Sequence, residues 1–369
     1  MKMETVMKKS AIAALCAMVL LGAPAFAHSR PPATEEPGMT KSEREFIAMD
    51  GATRREKYLD KAWRKRVYGE EAGARKVQKT GRAPADELPR IIRVPKVPNF
   101  RDMGGWPGLD GKRVKQGMVY RSGGLNDNAH IYYTPEETLA FYNEGVLEER
   151  FGEEGRKIKK LIERNNGQLK TDANAPYLHR ALAKEEKDRL PGKSRLSPEG
   201  LAFLKDELKI KTDLDLRRPL EVWGMTESPI GPTVNWVNIS SGCYSGMDKP
   251  VWKEAFAKDF RLFLDEKNYP FVVHCIGGAD RTGTLCYILE ALLGVSDDDL
   301  AKDWEFTCFT YESQDFGHKR YDGLLKVINA YPGATTREKV EAYVRDCGFT
   351  DADIAHLREL MLEDPAHKE

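Results

Sequence analysis

The sequence has no excess of either charge: 58 Lys and Arg residues face 58 Asp and Glu residues in 369. A nucleic-acid-binding domain would carry a basic footprint and a disordered acidic tail the reverse, so neither class fits. Cysteine is scarce, at six residues, and no Cys-x-x-Cys spacing occurs. The seven histidines form no pair at metal-ligand spacing, so neither a structural zinc nor a zinc hydrolase site is expected. Internal repeats are missing too. Long apolar runs are missing except at the start, where Ala11 to Leu21 gives eleven such residues. A membrane anchor needs about 20, and Pro24 disfavours continuing the helix. With Lys8 and Lys9 before the run and Ala25-Phe26-Ala27 after it, residues 1–27 read as an export signal cleaved after Ala27. The expected location is the periplasm or the exterior of a bacterial cell, with no integral membrane segment in the mature chain.

Cleavage would leave 55 basic and 57 acidic residues and five cysteines: Cys243, Cys275, Cys286, Cys308 and Cys347. An odd count in an oxidising compartment leaves at least one thiol unpaired. At 41% hydrophobic residues the chain can build a sizeable core. Residues 28–89 read as a linker followed by a charged helical extension. Within 41–90 there are 14 basic and 9 acidic residues, a local +5, with Phe46, Ile47, Tyr58, Leu59, Trp63 and Val67 at partly helical spacing. From residue 90 onward the pattern becomes mixed α/β. Strands are expected at Met118–Tyr120, Ile210–Leu216, Val234–Ile239 and Phe271–His274. Ser197-Pro198 reads as a helix start, and Trp252, Phe256, Phe260 and Phe263 form one apolar helix face. Past residue 280 the chain reads as helices almost to the end, with Ser296 and Asp299 as candidate caps. Residues 126–196 are too long and polar for a loop and open on the capping-box pattern Thr134-Pro135-Glu136-Glu137, so a helical insert is expected. Its Gly192-Lys193-Ser194 is no nucleotide loop, because the required upstream glycine position holds Lys187.

The chemistry concentrates in FVVHCIGGADRTGTLCYILEALLG, residues 271–294. A short apolar strand ends in His274-Cys275, a glycine-containing loop follows, and an apolar helix begins near Asp280. Backbone N–H groups of such a loop can all point inward, and the helix N-terminus behind them adds partial positive charge. Both effects bind an anion and favour a thiolate. Gly277 and Gly278 let the loop curl. Arg281, six residues after Cys275, returns a guanidinium fork that matches two oxygens of a phosphate. This arrangement suits in-line attack of Cys275 on phosphorus, through a cysteinyl-phosphate that water releases. Thr282 is placed to donate to the departing thiolate. No metal or other cofactor is called for.

These residues resemble the cysteine-dependent protein-tyrosine phosphatases. His274-Cys275-x2-Gly278-x-Asp280-Arg281-Thr282-Gly283 is similar to their bacterial secreted branch. So are Asn99-Phe100-Arg101-Asp102-Met103-Gly104-Gly105, Val119-Tyr120-Arg121-Ser122-Gly123, and Asp215-Leu216-Arg217 followed by Glu221. The resemblance runs from about residue 90 to 363, so residues 90–369 are expected to form a phosphatase domain interrupted by the insert. It implies a three-layer α/β fold, a central mostly parallel sheet with helices on both faces and the phosphate loop at the carboxyl end of a central strand. Cys275, Asp280 and Arg281 are the implied catalytic residues. Ile276, Gly277, Gly278, Ala279, Asp280 and Arg281 bind phosphate, and His274 and Thr282 support the loop. Asn99 to Gly105 reads as a structural turn rather than a catalytic block, and the cysteines other than Cys275 as ordinary buried thiols.

The general acid is less sharply marked. Ile239 to Gly246, where many relatives carry an aspartate, holds none. Asp280 ranks first, Asp215 second and Asp248 third. The expected substrates are phosphorylated proteins or small phosphomonoesters, phosphotyrosine foremost and dual specificity allowed. An inositol-phosphate or phosphoinositide phosphatase is the enzymatic alternative. Ala279, where lipid-directed relatives often carry lysine, and the Asn-Phe-Arg-Asp block both speak against it. An inactive phosphate-binding module is the non-enzymatic alternative, disfavoured by the complete loop. A sulfurtransferase would have no use for Arg281-Thr282-Gly283.

Overall fold

The computed structural model describes residues 48–60, 62–63, 96–133, 135–169, 178–181, 191–309 and 318–364, together with residues 45, 92 and 94. The export signal, the linker at 28–40, Thr134, and parts of the extension and insert lie outside the described residues, as do the side chains of Phe46, Ile47 and Cys308.

Nine strands occur among the described residues: β1 (Arg101–Asp102), β2 (Arg113–Val114), β3 (Val119–Ser122), β4 (His130–Tyr132), β5 (His179–Ala181), β6 (Thr212–Asp215), β7 (Asn235–Asn238), β8 (Phe271–His274) and β9 (Leu362–Glu363). Five of them form the central sheet in the order β1-β3-β8-β6-β7. Only β1 runs antiparallel; β3, β8, β6 and β7 are mutually parallel. The four strands expected from apolar runs are the four parallel ones: Phe271–His274 is matched end to end, and the other three differ at their ends by one or two residues. Two small antiparallel pairs, β2 with β9 and β4 with β5, lie apart from it.

Strand geometry sends alternate side chains to opposite faces. Val119, Leu214, Phe271 and Val273 therefore enter the larger core, under the helices Pro250–Phe263, Arg281–Leu292, Asp297–Glu305, His318–Ile328, Thr336–Asp346 and Asp351–Met361. Tyr120 and Val272 enter a smaller core closed by the short helix Pro198–Ala202 and the segment after it. Both faces are covered, one far more deeply. The helix Arg281–Leu292 is buried on every side beyond its first residue, which its largely apolar sequence favours, although Thr282, Thr284 and Glu290 are buried with it.

Local signals account for most helix ends. Ser197 accepts from Gly200 N at 3.1 Å with Pro198 in the first turn, and Ser296 accepts from Asp299 N at 3.2 Å. Asp299 is not itself a cap. It lies inside the helix Asp297–Glu305, and its carboxylate takes the Ser296 hydroxyl at 2.8 Å. The aromatic stripe does form one face, on Pro250–Phe263, with Phe256, Phe260 and Phe263 buried.

Within 126–196 stand the helices Pro135–Asn143 and Leu147–Arg164 and the β4–β5 pair, around a separate core of Leu147, Ile158, Ile162 and Leu178. The two ends of the segment meet where Asp127 N donates to Lys193 O at 2.8 Å. Gly192 serves that junction, since a Cβ there would sit 1.7 Å from Asp127 O. In the charged extension the helix Gly51–Leu59 docks on the domain through a fully buried Arg54, which donates to Glu305 at 3.0 Å and pairs with Asp298. Trp63 joins the larger core. Among the described residues no helix is long and apolar enough to cross a membrane.

Candidate active site

Cys275 leaves the carboxyl end of β8, and the chain turns through Ile276 to Asp280 into the helix Arg281–Leu292. The loop is shaped from outside by donors on its carbonyls. Gly124 N donates to Ile276 O at 3.0 Å. Asn99 Nδ2 donates to Gly277 O at 3.3 Å and Gly278 O at 2.9 Å, and an Arg121 Nη donates to Gly278 O at 2.9 Å. A planar trans peptide points its N–H opposite its C=O. With three successive carbonyls held outward, the N–H groups of Gly277, Gly278 and Ala279 face the hollow above the Cys275 sulfur. Such a nest of N–H groups binds anions. Gly278 sits at φ +69°, and a Cβ there would lie 2.4 Å from Ser122 O, so glycine is required on two grounds.

The upstream sequence blocks explain themselves here. Arg101 and Arg121, both fully buried, share the Asp303 carboxylate, and Arg101 also bonds Asn99 Oδ1. Burial works against the Asp303 carboxylate, but the two arginines overcome it and hold its pKa below the ordinary value. Asp102 closes the adjoining turn by accepting from Gly104 N at 2.8 Å and Gly117 N at 2.7 Å. Within the Asn99–Gly105 block, Asn99 and Arg101 therefore brace the loop from behind, while Asp102 holds the neighbouring turn and Phe100 and Met103 enter the two cores.

Electrostatics at the sulfur follow from this frame. Burial pushes the Cys275 thiol up, yet the Arg281 charge and the Thr282 hydroxyl and N–H outweigh it, leaving the pKa below its ordinary value of 9.0. The Thr282 hydroxyl is buried without another partner, which leaves it to the sulfur. Arg281 is oriented by Glu221, which accepts from its Nη1 at 2.8 Å, and by Leu216 O at 3.2 Å. Glu221 in turn accepts from Arg218 N at 2.7 Å. Glu221 follows the Asp215-Leu216-Arg217 block, but nothing in the sequence marks it as the partner of Arg281, 60 residues away.

His274 is buried beneath the loop, with Nε2 2.8 Å from Asp213 Oδ1 and Nδ1 3.8 Å from Asp215 Oδ1. Burial alone would lower its pKa; the carboxylates of Asp215 and Asp213 raise it. Asp215 is fully buried and grips Arg217 with both oxygens, at 2.9 and 2.6 Å. Burial opposes its charge, but His274 and Arg217 prevail and lower its pKa. That geometry makes Asp215 an anchor for Arg217 and His274, without access to the hollow. Asp248 lies exposed in the turn before the helix Pro250–Phe263.

Asp280 stands at the rim, about one-third exposed. Its Oδ1 accepts from the Tyr244 hydroxyl and, at 2.9 Å, from Arg320 Nη1. Neither partner carried a sequence signal, since they lie 36 and 40 residues away. Ile276 is 36% exposed on the loop itself, one of two large apolar side chains so exposed among the described residues. The remaining thiols are unlike Cys275. Burial pushes Cys286 up to about 12 and Cys243 and Cys347 up to about 11.

A thiol biased toward thiolate under converging N–H groups and an arginine defines a cysteine-centred oxyanion site on a parallel α/β sheet. Comparison with known proteins gives that class a family. The sequence profile described as the tyrosine phosphatase family matches residues 92–131 and 189–363, more than half of the chain, and the chain belongs to that family. The profile passes over 132–188, the stretch that holds the separate small core. A protein of Cupriavidus necator, itself named provisionally as a tyrosine-protein phosphatase, is 28% identical over 281 residues, 71% of this chain and 85% of the relative. Membership supports a phosphatase function.

Proposed function

We propose that the protein hydrolyses aryl phosphate monoesters, phosphotyrosine foremost, through a cysteinyl-phosphate. The observation that carries this reading is the combination at Cys275: a lowered thiol pKa beneath three inward N–H groups, with Arg281 held by Glu221. In the first step Cys275 Sγ attacks phosphorus while the ester P–O bond breaks. Asp280 gives its proton to the leaving oxygen. Arg281 and the loop N–H groups balance the charge on the equatorial oxygens. In the second step water attacks phosphorus, the S–P bond breaks, the water proton passes to Asp280, and inorganic phosphate leaves. Asp280 is preferred over Asp215 as the acid because it is solvent-reachable and borders the loop, whereas Asp215 is sealed beneath it. Ile276 favours an aryl leaving group, offering an exposed apolar wall beside the reacting phosphate. The export signal at 1–27 adds a periplasmic or secreted location to the proposal.

A panel of phosphotyrosine peptide, phosphoserine peptide, phytate and phosphoinositides, run on the wild type and on Cys275→Ser, tests the function. Phosphotyrosine turnover lost in the variant is expected; turnover that survives refutes the mechanism. With Asp280→Ala, hydrolysis of esters with poor leaving groups should fall by about 10²–10⁴, and good leaving groups should suffer less. Amino-terminal sequencing of the exported protein checks the location, with residue 28 expected first.

A further inference from the structure

One aromatic residue beside the phosphate loop holds a backbone conformation that its side chain disfavours. Tyr244 opens the short turn Tyr244–Gly246 at φ +53°. Glycine, and less often Asn or Asp, enters that left-handed region readily; a bulky ring there is an outlier. Such strain persists only where the surroundings enforce it. Here they act from three sides. Ser241 Oγ bonds the buried Asp259 carboxyl at 2.5 Å, the Tyr343 hydroxyl donates to Met247 O at 3.2 Å, and Tyr244 N donates to Thr284 Oγ1 at 3.3 Å. The ring is held as well, edge-on to Trp304 at 5.6 Å.

The strained backbone secures the placement of the hydroxyl. It donates to Asp280 Oδ1, the oxygen that also takes Arg320 Nη1 at 2.9 Å. Among the described residues no hydrogen bond reaches Asp280 Oδ2. With Oδ1 occupied, the carboxyl plane is fixed and Oδ2 is the oxygen left to carry a proton. The two donors are unequal. The Arg320 side chain is 49% exposed, so water and salt compete for its contact. Burial, and after it the Asp280 charge, push the Tyr244 hydroxyl well above its ordinary pKa of 10.0, so it stays a neutral donor. The same shift makes it a poor acid towards a leaving phenolate, so it orients the proton donor rather than replacing it. Orientation matters because an acid must lie within hydrogen-bond reach of the leaving oxygen, and a displacement of about 1 Å can cost about 10² in rate.

We propose that Tyr244 is the positioning residue of the general acid: its hydroxyl, delivered by a strained turn, fixes the Asp280 carboxyl so that Oδ2 protonates the leaving oxygen. This rests on the phosphatase reading above. Tyr244 keeps its own proton throughout. The proton that moves is the one on Asp280 Oδ2, which passes to the ester oxygen as the P–O bond breaks.

The test compares phenyl phosphate, with a poor leaving group, and 4-nitrophenyl phosphate, with a good one. Both are run on the full-length protein, Tyr244→Phe, Asp280→Ala and the double variant. Tyr244→Phe keeps the ring against Trp304 and removes one oxygen. Its kcat on phenyl phosphate should fall about tenfold to thirtyfold with KM within about twofold, and on 4-nitrophenyl phosphate by no more than about threefold. In the Asp280→Ala background the same change should alter neither rate by more than about twofold, since nothing is left to position. Equal losses on the two esters, or no loss at all, overturn the proposal. So does a further loss of about tenfold in the Asp280→Ala background, because a residue that merely supports the fold acts without Asp280. A wild type that hydrolyses neither ester sinks the phosphatase reading and the proposal with it. A wild type that hydrolyses both, with the wrong pattern in Tyr244→Phe, sinks the positioning role alone.

Discussion

Asp303 is the residue on which the bracing of the loop depends, and Asp303→Asn puts a magnitude on it. Its Oδ1 accepts from Arg101 Nε at 2.8 Å; its Oδ2 accepts from Arg101 at 3.2 Å and from Arg121. Both arginines are 1% exposed, so neither can recover water when the carboxylate is lost. Asparagine can keep the Oδ1 contact but turns an N–H₂ group toward the donors that Oδ2 served. Breaking a buried pair in this way costs about 3–5 kcal/mol. That lies within the usual margin of about 5–15 kcal/mol, so the variant should fold, with Tm lowered by roughly 6–15 °C. Activity should also fall well below the new Tm, because Arg121 would release Gly278 O and the loop N–H groups would lose their aim. A drop of about tenfold or more in kcat/KM is expected. Burial and, after it, the Asp303 charge raise the pKa of nearby Glu290, while Arg121 and Arg101 work against them. In Asp303→Asn that neighbouring negative charge is gone, so Glu290 ionises more readily than in wild type and the stability gap between the two should narrow as pH rises. The assay pairs thermal unfolding with steady-state kinetics on one preparation at several pH values. A Tm within about 2 °C of wild type, or kcat/KM within about twofold, would refute the bracing argument.

Other outcomes follow from the same structure. Iodoacetamide at pH 7 should label Cys275 ahead of Cys243, Cys286 and Cys347, because its thiol pKa lies below 9.0 while theirs are raised to about 11 or 12. Its labelling rate should climb with pH and reach its plateau at a lower pH than that of the other three thiols; peptide mapping that finds another thiol first contradicts this. Gly278→Ala forces a Cβ to 2.4 Å from Ser122 O at φ +69°, so the loop must open. It should lose activity by about a hundredfold or more for a stability loss of about 1–3 kcal/mol; an active variant would mean the loop geometry is not required. Arg54→Ala strips the buried partner of Glu305 and Asp298. The helix Gly51–Leu59 should then be cut by protease sooner than in wild type, and unchanged cleavage would show that Arg54 does not hold it. Stability carried by Asp215 is present above the ordinary carboxylate pKa and lost as pH falls through its lowered folded value. Asp215→Asn should therefore flatten the acid side of the stability profile.

Much of the centre was legible because it is local. The strand–Cys275–loop–Arg281–helix order occupies adjacent residues, and apolar content, two glycines and a helix start suffice to read it. The parallel strands were legible for the same reason, as short apolar runs. The caps show the limit: Ser296 was readable, but Asp299 three residues on looks identical in sequence and lies inside the helix. Asp215 shows a deeper one. Its position at the end of a strand fits a proton donor as well as an anchor, and only its burial against Arg217 and His274 separates the two.

The sequence alone therefore placed Cys275, Arg281 and the loop that joins them, since backbone sterics and nearby peptide dipoles act over a few residues. Tertiary structure decided everything that depends on chain closure. It set Arg121 and Asp303, 182 residues apart, as the brace behind the loop. It brought Glu221 to Arg281 across 60 residues, and Tyr244 and Arg320 to Asp280. Hydrogen bonds between such distant side chains leave no periodicity to read. Those of Asp303 and Arg320 exist only because the helix Asp297–Glu305 and the helix His318–Ile328 pack where the larger core puts them.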